Sequence, residues 1–278
     1  AYLEFDPADE CEALKKITEC LEDVREWMGA NWLQINSAKT EFIIFGTKEK
    51  VKNLNTKSLS FGGNNIPLSS NIKSIGAILD SQLNMEKQIS SLCKSCWSYL
   101  YEISKIRKIL NADQVKTVVN AHVTSRLDQN NGLIIGLPKC RVKKLQAVQN
   151  AAAKMIMGCK KRDHVTPLLF ELHWLPVEYR LLYKILLTTF KCIIGKGPEY
   201  LTELLIPYKP NRPLRSSENS NQLCVPLSRL KSSCKRGFYY RAPIEWNKLP
   251  LDLKNKRSVG AFKTGLKTFL FKEAFINC

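Results

Sequence analysis

Lys87, Lys94, Tyr101 and Lys108 recur at a strict seven-residue spacing, opposite an apolar seam of the same segment. Lys105 and Arg107 thicken the end of that row, and Lys160-Lys161-Arg162 stands as a second, compact basic group. Cations at such intervals, with an aromatic among them, suit a phosphate backbone: the charges meet phosphates and the ring offers a face to a base. A solvated helix face has the same appearance, and three cations in a loop equally suit a helix C-terminus. Other chemistries find less to work with. The chain has three His, with neither a paired acid nor a nucleophile beside them, so a hydrolytic triad has no support. Cys93-x-x-Cys96 has no second pair at zinc-ribbon or finger spacing, and it falls in a helical pattern where buried thiols are ordinary. No metal-ligating set is expected. Gly195-Lys196-Gly197-Pro198 lacks the spacing of a phosphate loop.

The net charge is +18, and it is uneven. Residues 1–30 hold nine acids and three bases, a net of −6, so the remainder carries +24. An excess of that size, spread over several segments, points to a polyanionic partner, nucleic acid first. An anionic membrane surface fits less well, because the bases form no single tract. The apolar fraction of 44% allows a real core, and 278 residues allow about two domains. No apolar run nears the roughly 18–20 residues of a membrane span, and the first residues carry no basic n-region. Ten Cys form no disulfide framework, so a reducing, intracellular location, nucleus or cytoplasm, is the default. The chain starts with Ala rather than Met and reads as a piece of a longer protein.

These residues need elements to position them. Asp6-Pro7 predicts a helix start, and Leu14, Ile17, Leu21, Val24 and Met28 form its apolar stripe, with Gly29 as its end. The acids fall on its other faces and read as a solvated outer surface. Lys39 lies in a turn between Leu33-Gln34-Ile35 and a short apolar run, Phe42–Phe45, that predicts a buried strand. Leu59 to Leu68 reads as a hairpin around Gly62-Gly63-Asn64-Asn65, with Pro67 marking an edge. Ile72 to Asp80 reads as the next strand, where Gly76 allows either a close backbone approach or a bulge.

Met85 to Leu110 predicts a long helix. Ile89, Cys96, Ile103 and Leu110 form one seam position and Met85, Leu92, Tyr99 and Ile106 the other, with the basic row opposite. Asn111-Ala112-Asp113 caps a helix running to Leu127. Pro138 opens and Gly158 closes another, with Val142, Leu145, Val148, Ala152 and Met155 on its face. His164-Val165-Thr166-Pro167 starts a further helix, and His173-Trp174-Leu175-Pro176 reads as packing and turn. Tyr179 to Ile194 is apolar on several sides and predicts a buried helix. Residues 207–233 are rich in Pro, Asn, Ser and Arg and read as a loop or linker. Tyr239 and Tyr240 beside Arg241 suit either base stacking or the core. Val259 to Leu270 predicts a last amphipathic helix, with Lys263 and Lys267 on its far side. The fold expected is α+β and mostly α-helical: a small α/β piece over 1–82, a helical region over 83–206, and a loop-rich module over 207–278 ending in a helix.

Several motifs in this order resemble one family. Leu33-x-x-Asn36-x-x-Lys39-Thr40-Glu41 before an apolar run is similar to the end of the palm of a LINE-type (non-LTR, Jockey-like) retrotransposon reverse transcriptase. Ile75-Gly76-x-x-Leu79-Asp80, Ser125-x-Leu127-Asp128, Gly132-Leu133-x-x-Gly136-Leu137-Pro138 and Gln146-x-x-Gln149-Asn150-x-Ala152-Ala153 follow as in that family. So do Trp174-Leu175-Pro176 and Phe238-x-x-x-Ala242-Pro243-x-x-Trp246-Asn247-x-Leu249-Pro250. Ile75, Gln129 and Asn130 depart from the family's usual Leu, Tyr and Cys. The resemblance spans Tyr2 to Phe275.

It implies a partial palm, a helical thumb-like region and a loop-rich C-terminal module. It implies that Lys39 is the motif D lysine, a general acid for the departing pyrophosphate. It makes Ile75 and Gly76 primer-grip-like. It lays the row of Lys87, Lys94, Tyr101, Lys105, Arg107 and Lys108 along an RNA–DNA primer–template or RNA. Mg2+ is expected only for an intact polymerase, because no Asp-Asp pair occurs in this sequence and two-metal chemistry needs such ligands. The expectation is therefore a fragment that binds nucleic acid without polymerising on its own, with the remainder of a polyprotein as a further partner and no cofactor of its own. The alternative is a basic helical interaction protein derived from such an element. An incomplete palm also predicts an exposed sheet edge or apolar face within 1–82.

Overall fold

Most of the described chain (residues 1–208, 221–227 and 234–276 of a computed structural model) is helical, with two small antiparallel hairpins. Among the described residues no helix is long and apolar enough to cross a membrane. The chain divides into two compact units, 1–88 and 89–278. The break thus falls six residues after the expected boundary at 82, and the described residues from 207 onward fall within the second unit.

In the first unit a 3-10 turn, Pro7–Asp9, leads into helix α1 (Glu10–Ala30). Neither Asp6 nor Asp9 caps with its side chain. The acids are not all on a solvated face, either. Glu10 is buried, and its carboxylate accepts from the backbone N–H of Asn55 at 3.2 Å and of Thr56 at 2.7 Å, as well as from the Thr56 hydroxyl. A carboxylate can be buried there because donors surround it. Of the expected stripe, Leu14, Ile17, Leu21 and Met28 are half-buried and Val24 is exposed. Strand β1 (Ser58–Phe61) packs against α1, and a Cβ placed on the following Gly62 would lie 3.8 Å from the Arg25 side chain. The hairpin therefore reaches its tip beside Arg25, while Trp27, Trp32 and Leu33 are exposed.

The predicted strand Phe42–Phe45 does not form. Phe42 makes a single parallel bridge to Leu68, Ile44 is buried and Phe45 is exposed. The neighbouring chain at that bridge follows Pro67, which has no N–H with which to extend a ladder. Helix α2 (Lys48–Lys52) is a short turn capped by the Thr47 hydroxyl, which accepts from the N–H of Lys50. The first hairpin forms as the sequence predicts: β1 pairs with β2 (Asn64–Pro67), Leu59 opposite Ile66. Its turn is Gly62-Gly63 alone, both at positive φ (56° and 76°); Asn64 and Asn65 belong to β2. Leu59, Phe61 and Ile66 are buried.

Ile72–Asp80 is not one strand but a second hairpin, β3 (Asn71–Ser74) against β4 (Ala77–Asp80). Ile75 and Gly76 are its two-residue tip, at φ 46° and 77°. Two consecutive positive φ values produce the mirror-type turn whose twist matches paired strands, so Gly76 makes a turn rather than a bulge. After β4 the Asp80 carboxylate accepts from the N–H groups of Asn84 at 2.8 Å and Met85 at 2.6 Å, which fixes the entry to the next helix.

That helix, α3 (Glu86–Ile106), continues into the second unit. It buries Ile89, Leu92, Cys96, Leu100 and Ile103. It stops at Ile106, four residues before the expected end at Leu110, and Ile106 itself is exposed. Asn111 then forms a reciprocal cap with Gln114 at the head of α4 (Ala112–Val119). A π-helical turn, Asn120–Thr124, joins α4 to α5 (Ser125–Asp128), so the predicted helix to Leu127 is continuous but widened in the middle. The remaining helices are α6 (Lys139–Met157), α7 (Thr166–Glu171), α8 (Val177–Ile193), α9 (Glu199–Thr202), α10 (Phe238–Asn247), α11 (Leu251–Lys254) and α12 (Val259–Phe275).

Two of the quoted motifs meet in this unit. The Gln149 amide of α6, buried, donates to the Leu175 carbonyl at 2.9 Å. Gln146 donates to Gln149 and Asn150 and accepts from the Val177 N–H at 2.8 Å, satisfying a donor that the start of α8 leaves free. Trp174 is buried and His173 exposed, in keeping with packing and turn. Both α10 and α12 pack on α8, with the Phe190 and Phe262 rings parallel at 4.1 Å between centroids and Trp246 beside them. That shared core ties α10 and α12 to the helical region. Pro210, Arg212, Pro213, Arg215, Ser216, Ser217, Asn219 and Ser220 of the predicted linker lie outside the described residues.

Candidate nucleic-acid interface

Burial of one seam of α3 forces the opposite face outward. Lys87, Lys94 and Tyr101 are exposed on that face. Lys105 is exposed too. Its ammonium lies 4.4 Å above the centre of the Tyr101 ring and 3.0 Å from the Glu102 carboxylate. A pair so exposed is worth little and exchanges readily for another anion. Lys108 does not continue the row on the helix, because α3 ends at Ile106; it is exposed in the turn that follows.

Arg107 is differently placed. Its guanidinium donates to the backbone carbonyls of Met155 at 2.9 Å, Ile156 at 3.2 Å and Leu110 at 3.2 Å. It covers carbonyls that the end of α6 leaves free, so its charge serves the helix terminus rather than a ligand. The same contact brings the corner after α3 to the end of α6, where Gly158 at φ 67° closes the helix. The Lys160-Lys161-Arg162 loop begins two residues later, with all three side chains exposed. Asp163 accepts from the Lys160 N–H at 2.6 Å, and Lys154 donates to the Lys161 carbonyl at 2.6 Å. Two basic groups about fifty residues apart in sequence thus gather at one end of the helical unit.

Two further residues on this surface escaped the sequence reading. Trp97 is 46% exposed, three residues after Lys94 and four before Tyr101. Its position off the apolar seam was the available signal. Lys144 of α6 is exposed and acts electrostatically on Cys93 of α3. Burial pushes the Cys93 thiol up, and the Lys144 charge partly offsets that rise. Burial pushes Cys96 up to about 11, which leaves both as unreactive packing thiols. Among the described residues no three His, Cys, Asp or Glu side chains cluster as a metal site would require.

The other named residues, Lys39, Ile75 and Gly76, lie in the first unit, as does Lys87 in the first turn of α3. Lys39 is exposed at the end of the turn Ser37–Lys39, whose N-cap Asn36 accepts from the Lys39 N–H at 3.2 Å. Ile75 and Gly76 occupy the tip of the second hairpin, with Ile75 92% exposed. No family model, curated protein or solved structure matches the chain. The family resemblance therefore rests on the quoted motifs alone.

Proposed function

We propose that this chain is a nucleic-acid-binding part of a LINE-type reverse transcriptase that holds primer–template without polymerising on its own. The observation that carries the reading is the outward face of α3, where Lys87, Lys94, Tyr101 and Lys105 stand opposite a buried seam. The net charge of +18 and the exposed Lys160-Lys161-Arg162 loop support it. On this reading Lys39 and the Ile75-Gly76 tip act only when the carboxylates and Mg2+ of an intact polymerase are present, and the preferred ligand is an RNA–DNA hybrid or RNA.

The test is fluorescence anisotropy of a labelled hybrid across a salt series, with duplex DNA and single strands alongside. Affinity should fall linearly in log–log salt, and Lys87→Ala with Lys94→Ala should reduce the slope by roughly 0.7–0.9 per phosphate contact removed. No binding at low salt would sink the reading. One observation favours a second one, a protein-interaction role: Trp27, Trp32 and Leu33 form exposed apolar surface at the end of α1, of a kind that interfaces cover.

A further inference from the structure

Trp97 differs from the other tryptophans of the helical unit. Trp174 and Trp246 are 8% and 1% exposed and belong to the core, whereas Trp97 is 46% exposed. Trp97 is thus neither core nor fully open: about half of it faces water, on a basic helix. One turn away on α3 its neighbours are Cys93 and Lys94 on one side and Leu100 and Tyr101 on the other, and the Ser104 hydroxyl is turned back onto the Tyr101 carbonyl at 2.6 Å. Tyr101, the other exposed ring, already has one face under the Lys105 ammonium at 4.4 Å. Cations bracket the indole. Lys94 lies about 4.5 Å away along the helix axis and Tyr101 with its lysine about 6 Å the other way.

We infer that Trp97 is a base-stacking residue, so that the α3 face takes an unpaired nucleotide as well as a phosphate backbone. The inference rests on the reading of α3 as a nucleic-acid face and deepens it. A base inside a duplex is covered on both sides by its neighbours and offers the indole nothing, while an unpaired base exposes a π-face and keeps its flanking phosphates within reach of Lys94 and Lys105. The ligand class is therefore a hybrid or single strand with at least one unpaired nucleotide next to the contacted backbone.

The full chain is tested by anisotropy against three labelled ligands: a blunt RNA–DNA hybrid, the same hybrid with a short single-stranded overhang, and the single strand alone. The overhang should tighten binding about tenfold over the blunt hybrid. Trp97→Leu should abolish that gain, bringing the overhang hybrid down to the affinity of the blunt one measured with the same variant, and Trp97→Phe should keep part of it. Absence of any gain from the overhang, or a gain that survives Trp97→Leu, overturns the inference while the binding reading stands. Failure of all three ligands to bind at low salt overturns the binding reading and the inference together.

Discussion

The Arg107 guanidinium donates to the Met155 carbonyl at 2.9 Å, fastening the turn after α3 to the last turn of α6. With Ile156 and Leu110 also served, Arg107→Ala leaves carbonyls of a helix end without their charged donor. A loss of about 2 kcal/mol is expected, read by urea unfolding of the full chain. Arg107→Lys should recover only part of it, because an ammonium cannot reproduce the planar fork. The salt slope of nucleic-acid binding should not change in either variant, in contrast to Lys94→Ala.

Glu10 makes the first unit sensitive to acid. The hydrogen bond from the Thr56 hydroxyl, then those from the Asn55 and Thr56 N–H groups, hold its carboxyl below the usual glutamate range against the opposing effect of burial. A depressed folded-state pKa contributes stability above the unfolded value, about 4.3, and loses it as pH falls through the lower folded value. Protection of the Asn55 and Thr56 amides, taken relative to the intrinsic exchange rate at each pH, should fall over that acidic window. Glu10→Gln should abolish the pH dependence and show weaker protection already at neutral pH.

Ile75 is a β-branched residue at φ 46°, a conformation that costs an L-residue about 1–2 kcal/mol. Ile75→Asn gives the turn a residue that tolerates it next to Gly76. The variant is expected to stabilise the second hairpin by about 1 kcal/mol, seen as slower exchange of the β3 and β4 amides. If the tip serves a primer, the same variant should weaken hybrid binding despite the added stability.

Gln146 accepts from the Val177 N–H at 2.8 Å and donates to Gln149 and Asn150. Gln146→Leu removes the acceptor at the start of α8 and is expected to destabilise the helical unit by about 1–3 kcal/mol. Chemical unfolding checks this. A loss well under 1 kcal/mol would mean that water replaces the glutamine without cost.

Residues that act through local chemistry were legible in the sequence. Gly62-Gly63 announced its hairpin, Asn111 its capped helix and Pro138 and Gly158 the two ends of α6, because each works on backbone within a few residues of itself. The buried seam of α3, and with it the outward direction of Lys87, Lys94 and Tyr101, followed from helical periodicity. The readings that failed depended on partners far along the chain. Phe42–Phe45 looked like a strand, but a strand requires a neighbour with free donors and acceptors, and the chain beside it follows Pro67. Glu10 looked solvated, but Asn55 and Thr56 bring donors to it from more than forty residues away. Arg107 looked like one more cation in a basic row until the α6 carbonyls claimed it.

Composition, charge and period alone therefore determined that this is a mostly helical, strongly basic chain with a lysine- and tyrosine-bearing helix face turned to water. Only the tertiary structure decided which cations on that face are free and that the loop after α6 joins them. It also decided that Trp97 is a half-exposed ring rather than a core one. The physical reason is one of range: propensity and amphipathicity act over a turn or two of chain, whereas the state of a charge or a ring is set by whatever distant segment the fold places against it.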